Sequence, residues 1–289
     1  PDWLVQHWID LLGLEKATAI CAASCEQAPT TIRANTQKID ADSLRSRLEQ
    51  AQCVVRKSTP VPEELTIVEG PALRSKLFQQ GLFMLQDPAA MIAAHLMEPK
   101  AGEWVLDMCA APGGKSTHLA QLAGDKGTVV AADIQERRLT QIAENVERLG
   151  LGSVRMVCAN GTRPCFNRKF DAVLVDAPCT GLGTLRRHPD LKWRARPDDA
   201  ARLAALQCEL LQAAARLCEN GGRIVYSVCT LTREETLGVR SFAETLDGFA
   251  FDDGAPWLNE WKTSPGTYQT LPENGSMDGF FLMRLRKSS

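Results

Sequence analysis

The sequence has 289 residues, a formal net charge of −2, 44% hydrophobic residues and 24% charged residues. This length allows one large domain with a smaller one, and the composition is ordinary for a globular protein with a substantial core. Because the sequence has no run of eighteen apolar residues and no basic-then-apolar amino terminus, we expect neither a membrane span nor a secretory signal.

The first eighty residues predict a helical segment followed by a small α+β domain. Five apolar residues near the amino terminus have helical spacing: Trp3, Leu4, Trp8, Leu11 and Leu12. Three strands and one helix are then predicted: strands at 31–35, 53–55 and 65–68, and a helix at 42–50. We therefore predict a helical linker at 1–30 and a small α+β domain at 31–80.

From residue 81 onward, strands and helices alternate, which is typical of an α/β domain with a mainly parallel sheet. The predicted strands are 104–106, 128–132, 154–158, 172–175, 223–227 and 279–285. The predicted helices are 88–97, 115–122, 135–149, 198–217 and 234–246. Ligands of such sheets bind beyond the carboxyl ends of the strands, so we expect the chemistry of domain 81–289 in the segments after each strand.

The segment 107–116, after the first of these strands, has the features of a cofactor loop. Gly113 and Gly114 form a tight turn that lets a ligand approach the backbone. A phosphate-binding loop would need glycine in place of Cys109, and the chain has no Gly-x-Gly-x-x-Gly fingerprint for a dinucleotide. Asp133 ends the next strand, where a carboxylate can accept from both ribose hydroxyls. An adenosine without pyrophosphate fits this pattern, and S-adenosylmethionine is the candidate; alternatively, Asp133 only caps the following helix.

Two cysteines follow two later strands and can carry covalent chemistry. Cys179 follows the strand at 172–175, and Cys229 follows the strand at 223–227. A thiolate that adds to carbon 6 of cytosine makes carbon 5 nucleophilic towards an activated methyl group, and a base then removes the carbon-5 proton. Asp176 can stabilise the adduct at ring nitrogen 3, and Lys115 can help a thiol to ionise. The residues alone leave open which thiol is the nucleophile, and cysteines at strand ends are often structural.

The ten cysteines and four histidines show no disulfide or metal framework. No Cys-x-x-Cys pair occurs, and no histidine is spaced with cysteines as in a zinc site. A chain of this length can form a core without disulfides. We therefore expect free thiols, a reducing cytoplasmic location and no bound metal.

Several segments, in order along the chain, resemble motifs of the RNA cytosine-5 methyltransferases. Three of them surround the residues discussed above: 107–117 (Asp-Met-Cys-Ala-Ala-Pro-Gly-Gly-Lys-Ser-Thr), 176–180 (Asp-Ala-Pro-Cys-Thr) and 228–230 (Val-Cys-Thr). Gln86-Asp87-Pro88 resembles the element that precedes the sheet in this family. Residues 186–193 and 278–281 (Asp-Gly-Phe-Phe) are most similar to the bacterial 16S ribosomal RNA family B (Fmu/Sun, RsmB-like) enzymes.

The resemblance implies a class I S-adenosylmethionine-dependent methyltransferase, an α/β Rossmann-like fold with a mainly parallel seven-stranded sheet. It implies a set of residues that bind S-adenosyl-L-methionine: Cys109, Ala110, Ala111, Pro112, Gly113, Gly114, Lys115, Asp133, Asn160 and Asp176. It also implies that Cys229 is the nucleophile and that Cys179 assists product release. The implied reaction methylates carbon 5 of a cytosine in RNA, with 16S ribosomal RNA as the expected substrate.

The sequence departs from the family pattern in three places, one of which is the element before Cys229, Ser-Val rather than Ala-Thr. Asn160 stands where members usually carry aspartate; it keeps a hydrogen-bonding carbonyl but lacks the charge. An RNA-binding assembly factor with weak or no catalysis is therefore the alternative function. The family's amino-terminal helical RNA-binding domain, which resembles an antitermination factor, has no counterpart, so either the sequence is a piece of a longer protein or RNA binding relies on other segments.

A net charge near zero gives no overall electrostatic reason to bind nucleic acid, so contacts with RNA must be local. The basic segment, residues 186–196, holds five basic residues around Trp193: Arg186, Arg187, Lys192, Arg194 and Arg196. We expect this segment and residues 31–80 to contact RNA, although such a run is also typical of a solvated loop. We expect the protein to be a monomer.

Overall fold

The structure is a computed structural model and describes residues 1–289, apart from the side chain of Asn274. The chain forms two compact units, one of residues 1–28 with 162–289 and one of residues 29–161. No helix in the described part of the chain is long and apolar enough to cross a membrane. The predicted division at residues 30 and 80 stays a prediction.

The chain contains ten α-helices and thirteen strands among the described residues. The helices are α1 (Asp2–Leu12), α2 (Leu14–Ala23), α3 (Ala41–Gln50), α4 (Lys76–Gln79), α5 (Pro88–Met97), α6 (Gly114–Leu122), α7 (Glu136–Leu149), α8 (Leu191–Arg194), α9 (Pro197–Leu217) and α10 (Val239–Ala243). The strands are β1 (Thr30–Ala34), β2 (Val54–Arg56), β3 (Glu64–Glu69), β4 (Phe83–Leu85), β5 (Trp104–Asp107), β6 (Thr128–Asp133), β7 (Val154–Cys158), β8 (Phe170–Asp176), β9 (Cys218–Val228), β10 (Phe249–Phe251), β11 (Lys262–Ser264), β12 (Thr267–Thr270) and β13 (Phe280–Lys287).

Unit 29–161 begins with an antiparallel sheet of four strands in the order β2-β3-β1-β4. Helix α3 begins where Asp40 accepts a 2.8 Å hydrogen bond from the backbone of Ser43. Its apolar side chains Leu44 and Leu48 are fully buried in the cluster that also contains Ile32 and Phe83. β4, which the sequence analysis did not predict, completes this sheet beyond residue 80.

The rest of unit 29–161 holds the parallel strands β5, β6 and β7, in that order, with α5, α6 and α7. Helix α5 begins at Pro88. The side chain of the preceding residue, Asp87, caps it by accepting a 2.9 Å hydrogen bond from the backbone of Ala89. The Gln-Asp-Pro element is therefore a helix start. The register pairs Asp133 with Cys158, so the carboxyl ends of β6 and β7 lie side by side.

Unit 1–28 with 162–289 contains β8 and β9 as a parallel pair, in the register Asp176 to Ser227. β13 pairs antiparallel with β9, and β12 and β10 pair with β13. β10, β11 and β12 were not predicted. The helix expected at 234–246 is instead a π-helical turn at Glu234–Gly238 followed by α10.

Helices α1 and α2 pack within this same unit. Trp8 and Ile20 are at most 2% exposed and form a core cluster with Leu182, Leu185 and Leu231. This cluster lies beside the segments that follow β8 and β9, where the sequence placed the two thiols. The amino-terminal helices thus stabilise the surroundings of those thiols.

Candidate active site

Backbone hydrogen bonds hold the cofactor loop, residues 107–116, in place. Asp107 at the end of β5 is fully buried and accepts a 2.6 Å hydrogen bond from the hydroxyl of Ser116. Ala110 donates to the carbonyl of Ala132 over 2.8 Å, which ties the loop to β6. Gly113 has φ +97°, a left-handed conformation that favours glycine, and it caps α6. The loop therefore presents the amino-terminal end of α6 at the end of β5.

Asp133 ties the end of β6 to this loop. One carboxylate oxygen accepts a 2.9 Å hydrogen bond from the backbone of Gln135, and the other accepts a 3.2 Å bond from the backbone of Ala111. Arg138 lies 3.6 Å from the second oxygen and donates to the carbonyl of Ala111 over 2.9 Å. The bond to Gln135 is made before α7 begins at Glu136, and α7 has no side-chain cap hydrogen bond, so Asp133 positions the loop rather than capping that helix. Each carboxylate oxygen can accept a further bond, so a ribose diol fits there.

The other predicted cofactor residues of unit 29–161 lie at the same strand ends. Cys109 and Lys115 are half-buried, Lys115 in the first turn of α6. Asn160 is exposed and follows Ala159, whose backbone donates to the carbonyl of Asp133 over 3.0 Å. Backbone N–H groups at a helix start and a nearby lysine suit the carboxylate of an amino acid. The donor set therefore fits S-adenosylmethionine.

Arg33 lies outside this loop but contacts it, and its role was not predicted from the sequence. It is fully buried on β1 and donates to the carbonyl of Gly114 over 2.7 Å and to the hydroxyl of Thr117 over 3.0 Å. It also contacts the side-chain oxygen of Gln86. Burial lowers the pKa of Arg33 to about 9. Arg33 and Gln86 thus fix the start of α6; an alternating strand pattern gives no signal that one of its arginines is buried.

Cys179 and Cys229 form a thiol pair in unit 1–28 with 162–289. Their Sγ atoms are 3.4 Å apart, and both side chains are half-buried. The hydrogen bond with Cys229 and burial, together with the charge of Glu235, raise the pKa of Cys179 well above its ordinary value. Cys179 is therefore protonated at neutral pH, and either sulfur can be the donor in the hydrogen bond between them. That Cys229 is the nucleophile of the pair stays a prediction.

Glu235, which the sequence analysis missed, lies at the centre of a buried polar network beside the thiol pair. Its carboxylate accepts from the backbone of Thr180 over 2.9 Å, from the amide of Gln207 over 3.0 Å and from the hydroxyl of Thr232 over 2.8 Å. The same Gln207 amide donates to the carbonyl of Pro178 over 2.9 Å. The network therefore fixes the residues on both sides of Cys179.

A second set of contacts fixes the backbone around Cys229. The carbonyl of Cys229 accepts a 3.0 Å hydrogen bond from Gly183, and the carbonyl of Gly183 accepts a 2.9 Å bond from Gly279. A β-carbon on Gly183 would lie 1.9 Å from the carbonyl oxygen of Gly279, so only glycine fits at 183. Asp176, the last residue of β8, is half-buried in the same unit.

Comparison with known families identifies the chain. A family model described as 16S rRNA methyltransferase RsmB/F matches residues 94–286. The chain belongs to this family. A second model, described as an RsmF/B-like ferredoxin-like domain, matches residues 1–73.

The relatives of this RsmB/F family chain include curated proteins and solved structures. The probable ribosomal RNA small subunit methyltransferase B of Bacillus subtilis is 36% identical over 99% of this chain and 66% of its own length. The chain thus spans just under two thirds of that relative. The structure of NSun6 from Pyrococcus horikoshii with SFG has a TM-score of 0.90 and 25% identity, covering 100% of this chain and 98% of its own. A methyltransferase homolog protein from the same organism has a TM-score of 0.85 and 28% identity, over 99% and 95% of the two chains.

These similarities confirm the predicted family and fold class. The RsmB/F family chain has the mostly parallel sheet of the methyltransferase fold, with an amino-terminal ferredoxin-like domain. Membership in a methyltransferase family agrees with the predicted cofactor, S-adenosylmethionine. The roles of individual residues in the cofactor loop and the thiol pair stay predictions.

The structure divides the basic segment into a buried part and an exposed part. Arg186 is 3% exposed at its side chain, and both Arg186 and Arg187 pair with Asp278, at 2.8 and 2.6 Å. The prediction that Arg186 contacts RNA is therefore wrong, because the carboxylate of Asp278 holds its guanidinium in the interior. Arg187 is 28% exposed. Three basic residues remain half-exposed or exposed around Trp193: Lys192, Arg194 and Arg196.

Three side chains of unit 29–161 form a histidine–glutamate cluster. Glu63 accepts a 2.8 Å hydrogen bond from His95, and it also contacts the fully buried His118. Two ligands of one zinc ion lie about 3.3 Å apart, because each metal–ligand bond is about 2.0–2.1 Å. The 2.8 Å distance between Glu63 and His95 is shorter and is that of a hydrogen bond. The geometry therefore favours a carboxylate hydrogen-bonded to histidine over a zinc site. Burial lowers the pKa of His118 to about 3, which keeps it neutral.

Proposed function

We propose that this protein transfers a methyl group from S-adenosyl-L-methionine to carbon 5 of a cytosine in RNA, through a covalent adduct with Cys229. The thiol pair is the observation that carries the proposal: a half-buried sulfur at Cys229 lies 3.4 Å from the protonated thiol of Cys179. The description of the family, 16S rRNA methyltransferase, favours small-subunit ribosomal RNA as the substrate. Such a substrate implies a cytoplasmic location, and we propose that the protein acts there as a monomer.

The two thiols have different roles in this mechanism. The sulfur of Cys229 adds to carbon 6 of the cytosine, and Asp176 stabilises the adduct at ring nitrogen 3. After the methyl group is transferred, a base takes the proton from carbon 5 and the bond between Cys229 and carbon 6 breaks. Because Cys179 is protonated and points at the departing sulfur, it stabilises Cys229 as a leaving group. The target base must be unpaired or flipped to reach the thiol.

The cofactor loop and its neighbours would hold S-adenosyl-L-methionine. Asp133, at the end of β6, would accept from the ribose hydroxyls, and the start of α6 with Lys115 would hold the amino-acid carboxylate. Asn160 would donate to or accept from the adenine edge. When bound, the cofactor supplies an electrophilic methyl group; the remaining chemistry belongs to the protein's own side chains.

The proposal is tested by methyl transfer to RNA. Purified protein is incubated with S-adenosyl-L-methionine carrying a labelled methyl group and with 16S ribosomal RNA, free or in the small subunit. We expect label in 5-methylcytosine, and a covalent complex when the RNA contains 5-fluorocytosine, whose carbon 5 cannot lose a proton. Absence of both products, with no calorimetric binding of the cofactor, would support the assembly-factor alternative instead.

Replacing Trp193 by alanine is expected to weaken RNA binding by about tenfold, since stacking a base on an aromatic ring contributes roughly 1–3 kcal/mol. Trp193 is 72% exposed on α8, and the ammonium of Lys192 lies 5.8 Å from its ring. An exposed ring among cations is suited to an unpaired base. Binding is measured by fluorescence anisotropy with labelled single-stranded RNA. Trp193→Phe is the matched control, which keeps a stacking surface; equal affinity of all three proteins would rule out stacking on this residue.

A further inference from the structure

The thiol pair has the geometry of a redox modification site as well as that of a catalytic centre. The Sγ atoms of Cys179 and Cys229 are 3.4 Å apart, whereas the sulfurs of a disulfide are about 2.05 Å apart. Closing the bond therefore requires a movement of about 1.3 Å. Both side chains are half-buried, so a small oxidant can reach them.

The backbone around both thiols is fixed in a way that keeps the sulfurs together. The hydroxyls of Thr180 and Thr230, which directly follow the two cysteines, are 2.7 Å apart and hydrogen-bonded. On the other side, Ala177 donates to the carbonyl of Ser227 over 3.0 Å. These contacts join the two segments two residues before the cysteines and directly after them. Side-chain rotation can therefore close the bond with little backbone movement.

We propose that hydrogen peroxide or a related peroxide converts Cys179 and Cys229 into a disulfide that reversibly blocks the nucleophile. In the first step, the thiolate of Cys229 attacks the peroxide, which leaves a sulfenic acid on Cys229 and releases hydroxide. In the second step, the thiol of Cys179 attacks that sulfur, which forms the disulfide and releases water. A dithiol such as dithiothreitol reduces the bond again to two thiols and is itself oxidised.

The order of these steps follows from the state of the two thiols. The hydrogen bond to Cys229 and burial keep Cys179 protonated, because they raise its pKa. In this scheme the sulfur of Cys229 therefore reacts with the oxidant first, and Cys179 is in contact with the sulfenic acid that forms. A neighbouring thiol at this distance converts the sulfenic acid to a disulfide before a second peroxide can oxidise it further.

The experiment maps the disulfide by mass spectrometry in the full chain treated with hydrogen peroxide. Free thiols are blocked, the protein is digested, and the peptides that contain residues 179 and 229 are examined for a cross-link that dithiothreitol removes. We expect this cross-link to be the main product at low peroxide. If both thiols instead stay alkylatable, or if Cys229 is found only as sulfinic acid, the inference is overturned.

Two variants act as controls. Cys179→Ser removes the second thiol, so peroxide should now carry Cys229 to a sulfinic acid that dithiothreitol does not reverse. Cys21→Ser with Cys25→Ser removes a different pair of cysteines, which lie near each other, since Cys25 contributes to the raised pKa of Cys21. This double variant should leave the 179–229 cross-link unchanged. A cross-link lost in this double variant would place the oxidation elsewhere and contradict the inference.

The consequence for activity rests on the proposed function. Methyl transfer should fall by roughly tenfold or more in the cross-linked protein and return with dithiothreitol. The redox site and the proposed methyl transfer can be refuted independently, because mass spectrometry detects the cross-link without any measurement of activity. A cross-link in a protein that never methylates RNA would refute only the proposed function; an active protein that forms none refutes only the redox site.

Discussion

Replacing Cys229 with alanine is expected to reduce methyl transfer by at least about a thousandfold, as the loss of a catalytic nucleophile does in other enzymes. Cys179 should not substitute, because burial and the charge of Glu235, which both remain in this variant, still raise the pKa of Cys179. The variant should also fail to form a covalent complex with RNA that contains 5-fluorocytosine. The measurements are labelled methyl transfer and the shifted band of the complex on a denaturing gel.

Cys179→Ala separates the two roles. With Cys229 intact, the adduct should form, but its release should be slow, because the departing sulfur has lost its hydrogen-bond donor. We expect a covalent complex with ordinary cytosine RNA that accumulates during the reaction. Cys208→Ala, a half-buried cysteine on α9 outside the pair, serves as the matched control and should behave as the unmodified protein does. Accumulation in Cys229→Ala, with none in Cys179→Ala, would reverse the assignment.

The position of the thiol pair was predictable because it depends on a rule of topology. In a parallel sheet, functional residues follow the carboxyl ends of the strands, and Cys179 and Cys229 follow β8 and β9. The sequence alone did not show that these strands are neighbours. Their pairing, in the register Asp176 to Ser227, brings the thiols together. The Sγ atoms then lie 3.4 Å apart, and the hydroxyls of the next residue in each segment are hydrogen-bonded.

The residues that were missed or assigned the wrong role share a different property: their contacts are made with partners that are distant in the sequence. Arg33 contacts Thr117 across 84 positions, and Arg186 pairs with Asp278 across 92 positions. A basic residue that is buried by such a partner looks, in sequence, like one that faces solvent. Local patterns therefore predict the parallel strands and most of the long helices, but they do not distinguish a buried charge from a surface charge.

Glu235→Ala is the second change with a large expected effect, a loss of roughly 3 kcal/mol or more in the free energy of unfolding. The carboxylate is fully buried and accepts from Thr180, Gln207 and Thr232. Alanine would leave these donors buried without an acceptor, and each unpaired group costs about 1–3 kcal/mol. The measurement is urea unfolding. Glu234→Ala, whose side chain is 41% exposed, is the adjacent control and should change stability by at most about 0.5 kcal/mol.

Glu235→Gln isolates the effect of the charge from that of the hydrogen bonds. A glutamine can keep its oxygen towards Thr180 and Gln207 and donate to the hydroxyl of Thr232, so the network should survive. The hydrogen bond with Cys229 and burial still raise the pKa of Cys179, but the contribution of the negative charge is lost. The pKa of Cys179 should therefore fall, and its alkylation by iodoacetamide, followed by peptide mapping, should begin at lower pH than in the unmodified protein. An unchanged alkylation profile in a folded Glu235→Gln protein would mean that Glu235 acts on Cys179 through geometry alone.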